Sequence, residues 1–93
     1  MLESKIEKKF VEAVNNAGGW ALKFVPTYCA GMPDRLVLWP GGRATWVELK
    51  APGKKLRRIQ EHRKQELNAK GFKVYCVDSE EKIADFVAEY AKR

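Results

Sequence analysis

The sequence predicts an α/β protein of the mixed α+β kind, in which helices flank one small sheet of mixed strand direction. Its 93 residues, 45% of them hydrophobic, suffice for one core, so residues 1–93 form a single domain. Glycine and proline divide the chain into seven short segments, whose apolar residues recur with helical or strand spacing. The order of these segments is α-β-β-β-α-β-α.

Three of the segments have helical spacing. The first covers residues 3–17 and ends at Gly18, and the second is a polar helix over residues 56–70. The last begins after Ser79, because serine is a residue type that caps helix N-termini. The inward face of the first helix includes Ile6, Phe10 and Val14.

The remaining four segments are predicted strands, at residues 20–25, 36–39, 44–49 and 72–77. Only the turn Pro40-Gly41-Gly42 joins the middle two, so they pair as an antiparallel hairpin. The last strand follows a helix and can therefore pair in parallel with a neighbour.

The charge balance favours some partners and excludes others. Lys and Arg number 18 and Asp and Glu number 12, so the net charge is +6 and favours a polyanion. We expect DNA rather than a membrane surface, because the basic residues do not form one face of an amphipathic helix. In addition, no apolar run approaches the ~20 residues of a spanning helix. Two cysteines, Cys29 and Cys76, fit a reducing cytoplasm. The short length excludes a two-lobed nucleotide-binding domain, so we expect no nucleotide cofactor.

Two acidic residues face each other across the predicted hairpin. Asp34 lies seven positions before Gly41 and Glu48 seven positions after it, so their carboxylates come close together. Side chains alternate along a strand, which puts Lys50 on the face of Glu48. Paired carboxylates suit Mg²⁺ or Mn²⁺, the backbone carbonyl of Leu49 can add a ligand, and Lys50 can orient water. The structural alternative is a salt bridge at the strand end, with Asp34 as a turn residue.

Longer and more specific motifs surround these residues. They are Gly31-Met32-Pro33-Asp34-Arg35, the turn at residues 40–42, the string Val47-Glu48-Leu49-Lys50-Ala51-Pro52-Gly53-Lys54-Lys55, and Gln60. Over residues 3–87 the chain resembles the PD-(D/E)xK nuclease superfamily, and more closely the virus-type VRR-NUC domain. The resemblance implies a restriction-endonuclease-like core. It also implies that Asp34 and Glu48 are metal ligands, that Lys50 is the catalytic lysine, and that Gln60 meets the active site.

The family usually adds a glutamate from the first helix, and two residues qualify. Glu3 falls inside the apolar stripe of that helix, where a carboxylate needs a partner, while Glu7 lies at its rim. The spacing from Glu7 to Gly18, however, is similar to that of archaeal Holliday-junction resolvases. Both residues therefore remain candidate metal ligands.

Basic residues cluster directly after the acidic pair. Pro52-Gly53 forms a turn that presents them, and phosphate contacts of this kind position DNA without reading its sequence. Tyr28 is a candidate to stack on bases. The predicted DNA-binding residues are Arg35, Lys54, Lys55, Arg57, Arg58 and Arg63.

The sequence thus predicts a structure-selective deoxyribonuclease that hydrolyses phosphodiesters with Mg²⁺ or Mn²⁺. The resemblance implies 5′-phosphate products, a phage origin and a homodimer that resolves four-way (Holliday) junctions, a task that suits two-fold symmetry. One alternative is a monomeric nickase or flap-type nuclease. The other is a non-catalytic basic DNA-binding module, in which Asp34 and Glu48 are structural.

Overall fold

A computed structural model describes residues 1–91 as a four-stranded mixed sheet with three helices. The predicted fold class and the order α-β-β-β-α-β-α are confirmed. The elements are α1 Glu3–Asn16, β1 Trp20–Lys23, β2 Arg35–Trp39, β3 Arg43–Leu49, α2 Arg58–Ala69, β4 Val74–Val77 and α3 Glu80–Ala91.

The sheet has the strand order β1-β2-β3-β4, so neighbours in sequence are neighbours in space. Strands β1, β2 and β3 pair antiparallel, and β4 pairs parallel with β3 after the α2 crossover. The hairpin turn requires glycine, because Gly41 and Gly42 both have positive φ, at 89° and 77°. Arg35 pairs with Val47, and one step further along the ladder Asp34 lies opposite Glu48.

One face of the sheet forms the hydrophobic core with α1 and α3. Because strand side chains alternate, every second residue of β2 and β3 points to this side. Rings of Trp39, Phe86 and Tyr90 pack together at one end, with centroids 5.1 to 6.0 Å apart. The fully buried side chains are Ile6, Phe10, Val14, Val37, Val47, Leu49 and Val77.

The opposite face is only partly covered, because α2 packs against the edge strand β4. Trp20 on this side is 61% exposed. Four other apolar side chains are half-buried. We call this surface the open face; it consists of Trp20, Leu22, Leu36, Leu38 and Trp46.

The element ends differ from the predictions where side chains intervene. Helix α2 begins at Arg58 instead of residue 56, because the Gln60 side chain accepts the Arg57 backbone N–H at 2.8 Å. Strand β1 is shorter than predicted, since the chain turns into a loop after Lys23. The predicted cap of α3 is confirmed: the Ser79 hydroxyl accepts the Lys82 N–H at 3.2 Å. Within residues 1–91, no helix is long and apolar enough to cross a membrane.

Candidate active site

A cleft of about 370 Å³ opens where β2 begins and β3 ends. We call it the acidic cleft. Asp34, Glu48 and Lys50 line it from the sheet, Glu3 from α1, and Gln60 from α2. The hairpin register and the α2 crossover thus bring together side chains from four parts of the chain.

Asp34 completes the hairpin ladder with its side chain. Its Oδ1 accepts the Leu49 N–H at 3.0 Å. If strand β2 were longer, a backbone carbonyl of that strand would accept this N–H instead. A strand residue directs its N–H and C=O to the same side, so the Leu49 carbonyl faces the Asp34 edge as well. Carboxylate and carbonyl oxygens therefore converge on one edge of β3.

The electrostatics of the acidic pair favour a bound cation. Glu48 is 5% exposed, and burial followed by the charge of Asp34 raises its pKa from 4.5 to about 7. Burial also raises the pKa of Asp34, despite its hydrogen bond to Leu49. Each carboxylate is thus disfavoured in its charged form, and a cation between them would relieve both desolvation and repulsion.

The donor set fits a hard, partly hydrated dication. Among residues 1–91, no group of three His, Cys, Asp or Glu side chains lies close enough to hold a metal ion. Asp34, Glu48 and the Leu49 carbonyl instead offer an oxygen-only set of few protein ligands. Mg²⁺ is typically bound by one or two carboxylates with water in its remaining positions.

The two candidate acids of α1 lie in different surroundings. Glu3 lines the acidic cleft, where its charge contributes to the raised pKa of Asp34 and Glu48. The prediction that Glu3 lies within the buried stripe of α1 is wrong. Glu3 is exposed, because α1 begins at this residue and its first turn extends past the core. Glu7 points to the other side, with Oε2 3.5 Å from Nη2 of Arg35. The structure therefore brings Glu3, and not Glu7, to the acidic pair.

Arg35 is buried, so it is not available at the surface as the prediction that it contacts DNA requires. It follows Asp34 directly, so its side chain points to the opposite, core face of the sheet. It is 8% exposed, and its Nη1 donates to the Ala21 carbonyl at 3.3 Å. Together with the ion pair to Glu7, these contacts join α1 to the sheet.

Gln60 and Lys50 flank Glu48. The Gln60 side chain is 7% exposed, and its Nε2 donates to Glu48 Oε2 at 3.3 Å while its Oε1 accepts the Arg57 N–H. Because the two ends of the amide have different partners, Gln60 links the start of α2 to Glu48. Lys50 lines the same cleft, and its positive charge lowers the pKa of Glu48 in opposition to burial.

Four of the predicted DNA-binding residues are exposed and extend from the loop after β3 to the first residue of α2. Arg57 also lines the acidic cleft. We call these four residues the basic segment; they are Lys54, Lys55, Arg57 and Arg58. Arg63 is held elsewhere, because its Nε donates to the Ala30 carbonyl at 2.7 Å and its Nη1 to Glu66 at 2.6 Å. Nε and Nη1 of its guanidinium thus have partners within the protein, and the contact of Arg63 with DNA stays a prediction.

The sequence interpretation missed one wall of the cleft. The loop over residues 24–34 contributes Phe24, Val25, Cys29 and Met32 to the lining. Gly31, Met32 and Pro33 belong to the motif around Asp34, but residues 24–30 carry no sequence pattern that places them at a cleft.

Comparisons with known proteins identify the family and agree with the fold. The family model described as "VRR-NUC domain" matches residues 2–81. A protein of Acyrthosiphon pisum secondary endosymbiont phage 1, named "Putative nuclease p44", is 43% identical over 79 residues, which cover 85% of each chain. A solved structure titled "VRR_NUC domain" superposes with a TM-score of 0.86 at 26% identity, covering 95% of this chain and 96% of that one. The chain belongs to the VRR-NUC family of nuclease domains.

Proposed function

We propose that this chain is a metal-dependent DNA endonuclease that hydrolyses phosphodiesters. The observation that carries the proposal is the pair formed by the half-buried Asp34 and the buried Glu48, which lies at an open cleft beside Lys50. Two acids in a strongly basic protein would repel DNA unless a cation joined them. The family supports the nuclease activity, and the donor set supports Mg²⁺ or Mn²⁺.

Each residue of the acidic cleft has a proposed role. Asp34, Glu48 and the Leu49 carbonyl would hold the cation, with Glu3 contributing from α1, directly or through water. When bound, such a cation lowers the pKa of water and stabilises charge on phosphate oxygens. Lys50 would orient the attacking water or neutralise the developing charge.

The substrate would approach along the basic segment. Its four side chains are exposed and extend from the loop after Lys50 to the first residue of α2. Arg57 among them lines the acidic cleft, so phosphates bound to this segment would lie next to the cleft. Such contacts are independent of base sequence. The substrate is therefore distinguished by its shape, and we propose branched DNA, in particular the four-way junction.

The open face supports a homodimer. Its apolar side chains are left uncovered by the helices, and burying them would remove apolar surface from water at about 25 cal/mol per Å². Phe24, which lines the acidic cleft, packs on Trp46 of this face, so pairing two open faces would bring two clefts toward one two-fold axis. That symmetry matches the two equivalent strands of a four-way junction.

Both cysteines are free, and we propose the cytoplasm of a phage-infected host cell as the location.

The activity is tested with three substrates: a four-way junction, a flap and a plain duplex. Each is incubated with Mg²⁺, Mn²⁺ or EDTA, and calorimetry measures metal binding independently of cleavage. We expect metal-dependent cleavage of the junction, which Glu48→Gln abolishes together with metal binding. DNA binding without cleavage under every condition would instead establish the non-catalytic module.

The assembly is tested by light scattering at micromolar concentration. We expect twice the chain mass of 10.6 kDa, and a return to the single mass for Leu38→Lys on the open face. Leu2→Lys is the control, because Leu2 is 74% exposed and outside that face. A mass of 10.6 kDa for the parent, with equal cleavage of junction and duplex, would favour the monomeric nickase.

A further inference from the structure

The loop over residues 24–34 presents two apolar side chains to solvent. Tyr28 is 88% exposed and Val25 is 70% exposed. Val25 lines the acidic cleft, as does Cys29, the neighbour of Tyr28. Tyr28 therefore belongs to the loop that forms one wall of the acidic cleft, and residues that line the cleft precede and follow it in sequence.

The sheet holds the first and last residues of this loop in place. The Phe24 N–H donates to the Asp34 carbonyl at 2.8 Å and continues the β1–β2 ladder by one step. The Phe24 ring packs edge-on against Trp46, with centroids 5.1 Å apart. The loop thus starts and ends at the acidic pair.

Helix α2 holds the far side of the loop. Nε of Arg63 donates to the Ala30 carbonyl at 2.7 Å. Gly31, with φ of 81°, lies so close to α2 that a Cβ there would be 2.7 Å from the Ile59 carbonyl oxygen. The loop is thus anchored at both ends and at Ala30 and Gly31, and Tyr28 lies in the stretch between these anchors.

We propose that Tyr28, together with Val25 of the same loop, is a stacking platform for an unstacked DNA base next to the scissile phosphate. The basic segment supplies charge for phosphates, whereas the loop tip carries an uncharged aromatic ring and an apolar side chain. A base at a branch point or in a single strand has a free face for such a ring, while a base within a duplex does not. The inference rests on the proposed nuclease function and gives it a preference for DNA with unstacked bases.

The experiment measures DNA binding by the full chain in EDTA, so that cleavage does not interfere. Binding of a four-way junction and of a plain duplex is compared for the parent, Tyr28→Ala and Tyr28→Phe. Thr27→Ala is the matched control, because Thr27 is an exposed residue without a ring in the same turn. A 2-aminopurine base at the branch point reports stacking by a change in its fluorescence.

We expect Tyr28→Ala to weaken junction binding by roughly 5- to 150-fold, with duplex binding nearly unchanged. Tyr28→Phe keeps the ring and should stay within about twofold of the parent, as should Thr27→Ala. The 2-aminopurine signal should change with the parent and not with Tyr28→Ala. The thermal unfolding of Tyr28→Ala should match that of the parent, because the ring makes few contacts in the folded protein.

Three results would overturn the inference. One is an equal loss of junction and duplex binding in Tyr28→Ala, which would indicate a general backbone contact. Another is a reduced mass of Tyr28→Ala in light scattering, which would assign the ring to a contact between chains. The third is unchanged junction binding in Tyr28→Ala. If the parent binds and cleaves DNA, this result refutes only the stacking role of Tyr28. If the parent neither binds nor cleaves any DNA, the proposed nuclease function is refuted as well.

Discussion

Replacing Glu48 with glutamine removes a buried charge and preserves the size of the side chain. In the metal-free protein the charged carboxylate is opposed by burial and by Asp34. The amide of glutamine has neither penalty, and it can still accept the hydrogen bond that Gln60 donates to Glu48. We therefore expect metal-free Glu48→Gln to be more stable than the parent at neutral and alkaline pH.

The magnitude follows from the pKa of Glu48, which rises from 4.5 to about 7 on folding. The folded state holds this proton more tightly than the unfolded chain does. The raised pKa of Glu48 thus contributes fully to the free energy of unfolding below pH 4.5, and this contribution is lost as the pH rises to about 7. The loss amounts to about 3 kcal/mol, since one pKa step corresponds to ~1.4 kcal/mol.

Urea unfolding in EDTA at several pH values between about 4 and 8 measures this effect. The parent and Glu48→Gln should have almost equal free energies of unfolding at the acidic end of this range. At the alkaline end, the free energy of unfolding of the variant should be about 3 kcal/mol higher. Glu61→Gln is the matched control, because Glu61 is exposed on α2. A stability difference between parent and Glu48→Gln that stays constant over the whole pH range would refute the reasoning.

Three further predictions concern the other charged residues. Lys50→Ala should lower the cleavage rate by ~10²–10³ with metal binding retained by calorimetry, and an unchanged rate would remove Lys50 from the mechanism. Arg35→Met should lower the free energy of unfolding by about 1.5–3 kcal/mol in urea, because it removes a charged hydrogen bond, and it should leave the salt dependence of DNA binding intact. Changing the four residues of the basic segment to alanine should make the slope of the logarithm of the DNA-binding constant against the logarithm of salt concentration shallower. We expect a change of ~0.9 for each lost phosphate contact. The control changes four exposed lysines outside the acidic cleft to alanine, namely Lys8, Lys70, Lys73 and Lys82. If the control lost as much slope as the variant of the basic segment, DNA would bind elsewhere.

The hairpin shows how far local patterns reach. Its turn is short and glycine-rich, so counting outward from Gly41 sets the register without any knowledge of the remaining chain. The prediction that Asp34 lies opposite Glu48 depends on that register alone, and the structure has the same register. Helix boundaries were less accurate, because the side chain of Gln60 accepts the Arg57 N–H and shifts the start of α2.

The first helix shows where local patterns fail. Glu3 and Glu7 are one turn apart, and periodicity places both near the apolar stripe. Their separation into a cleft residue and an ion-pair partner depends on where α1 lies against the sheet and on the face to which Arg35 points. Arg35 was predicted to contact DNA and is buried instead. Strand alternation reveals that its face differs from that of Asp34, but not which of the two faces the helices cover.

The sequence by itself determined the order of elements, the hairpin register and the specific motifs around Asp34 and Glu48, because each depends on residues a few positions apart. The tertiary structure decided which faces α1 and α3 cover and which one α2 leaves open. It also decided that Glu3 reaches the acidic pair, that Gln60 contacts Glu48, and that the loop of residues 24–34 borders the cleft. These features depend on contacts between segments distant in sequence, and such contacts form only when the elements pack.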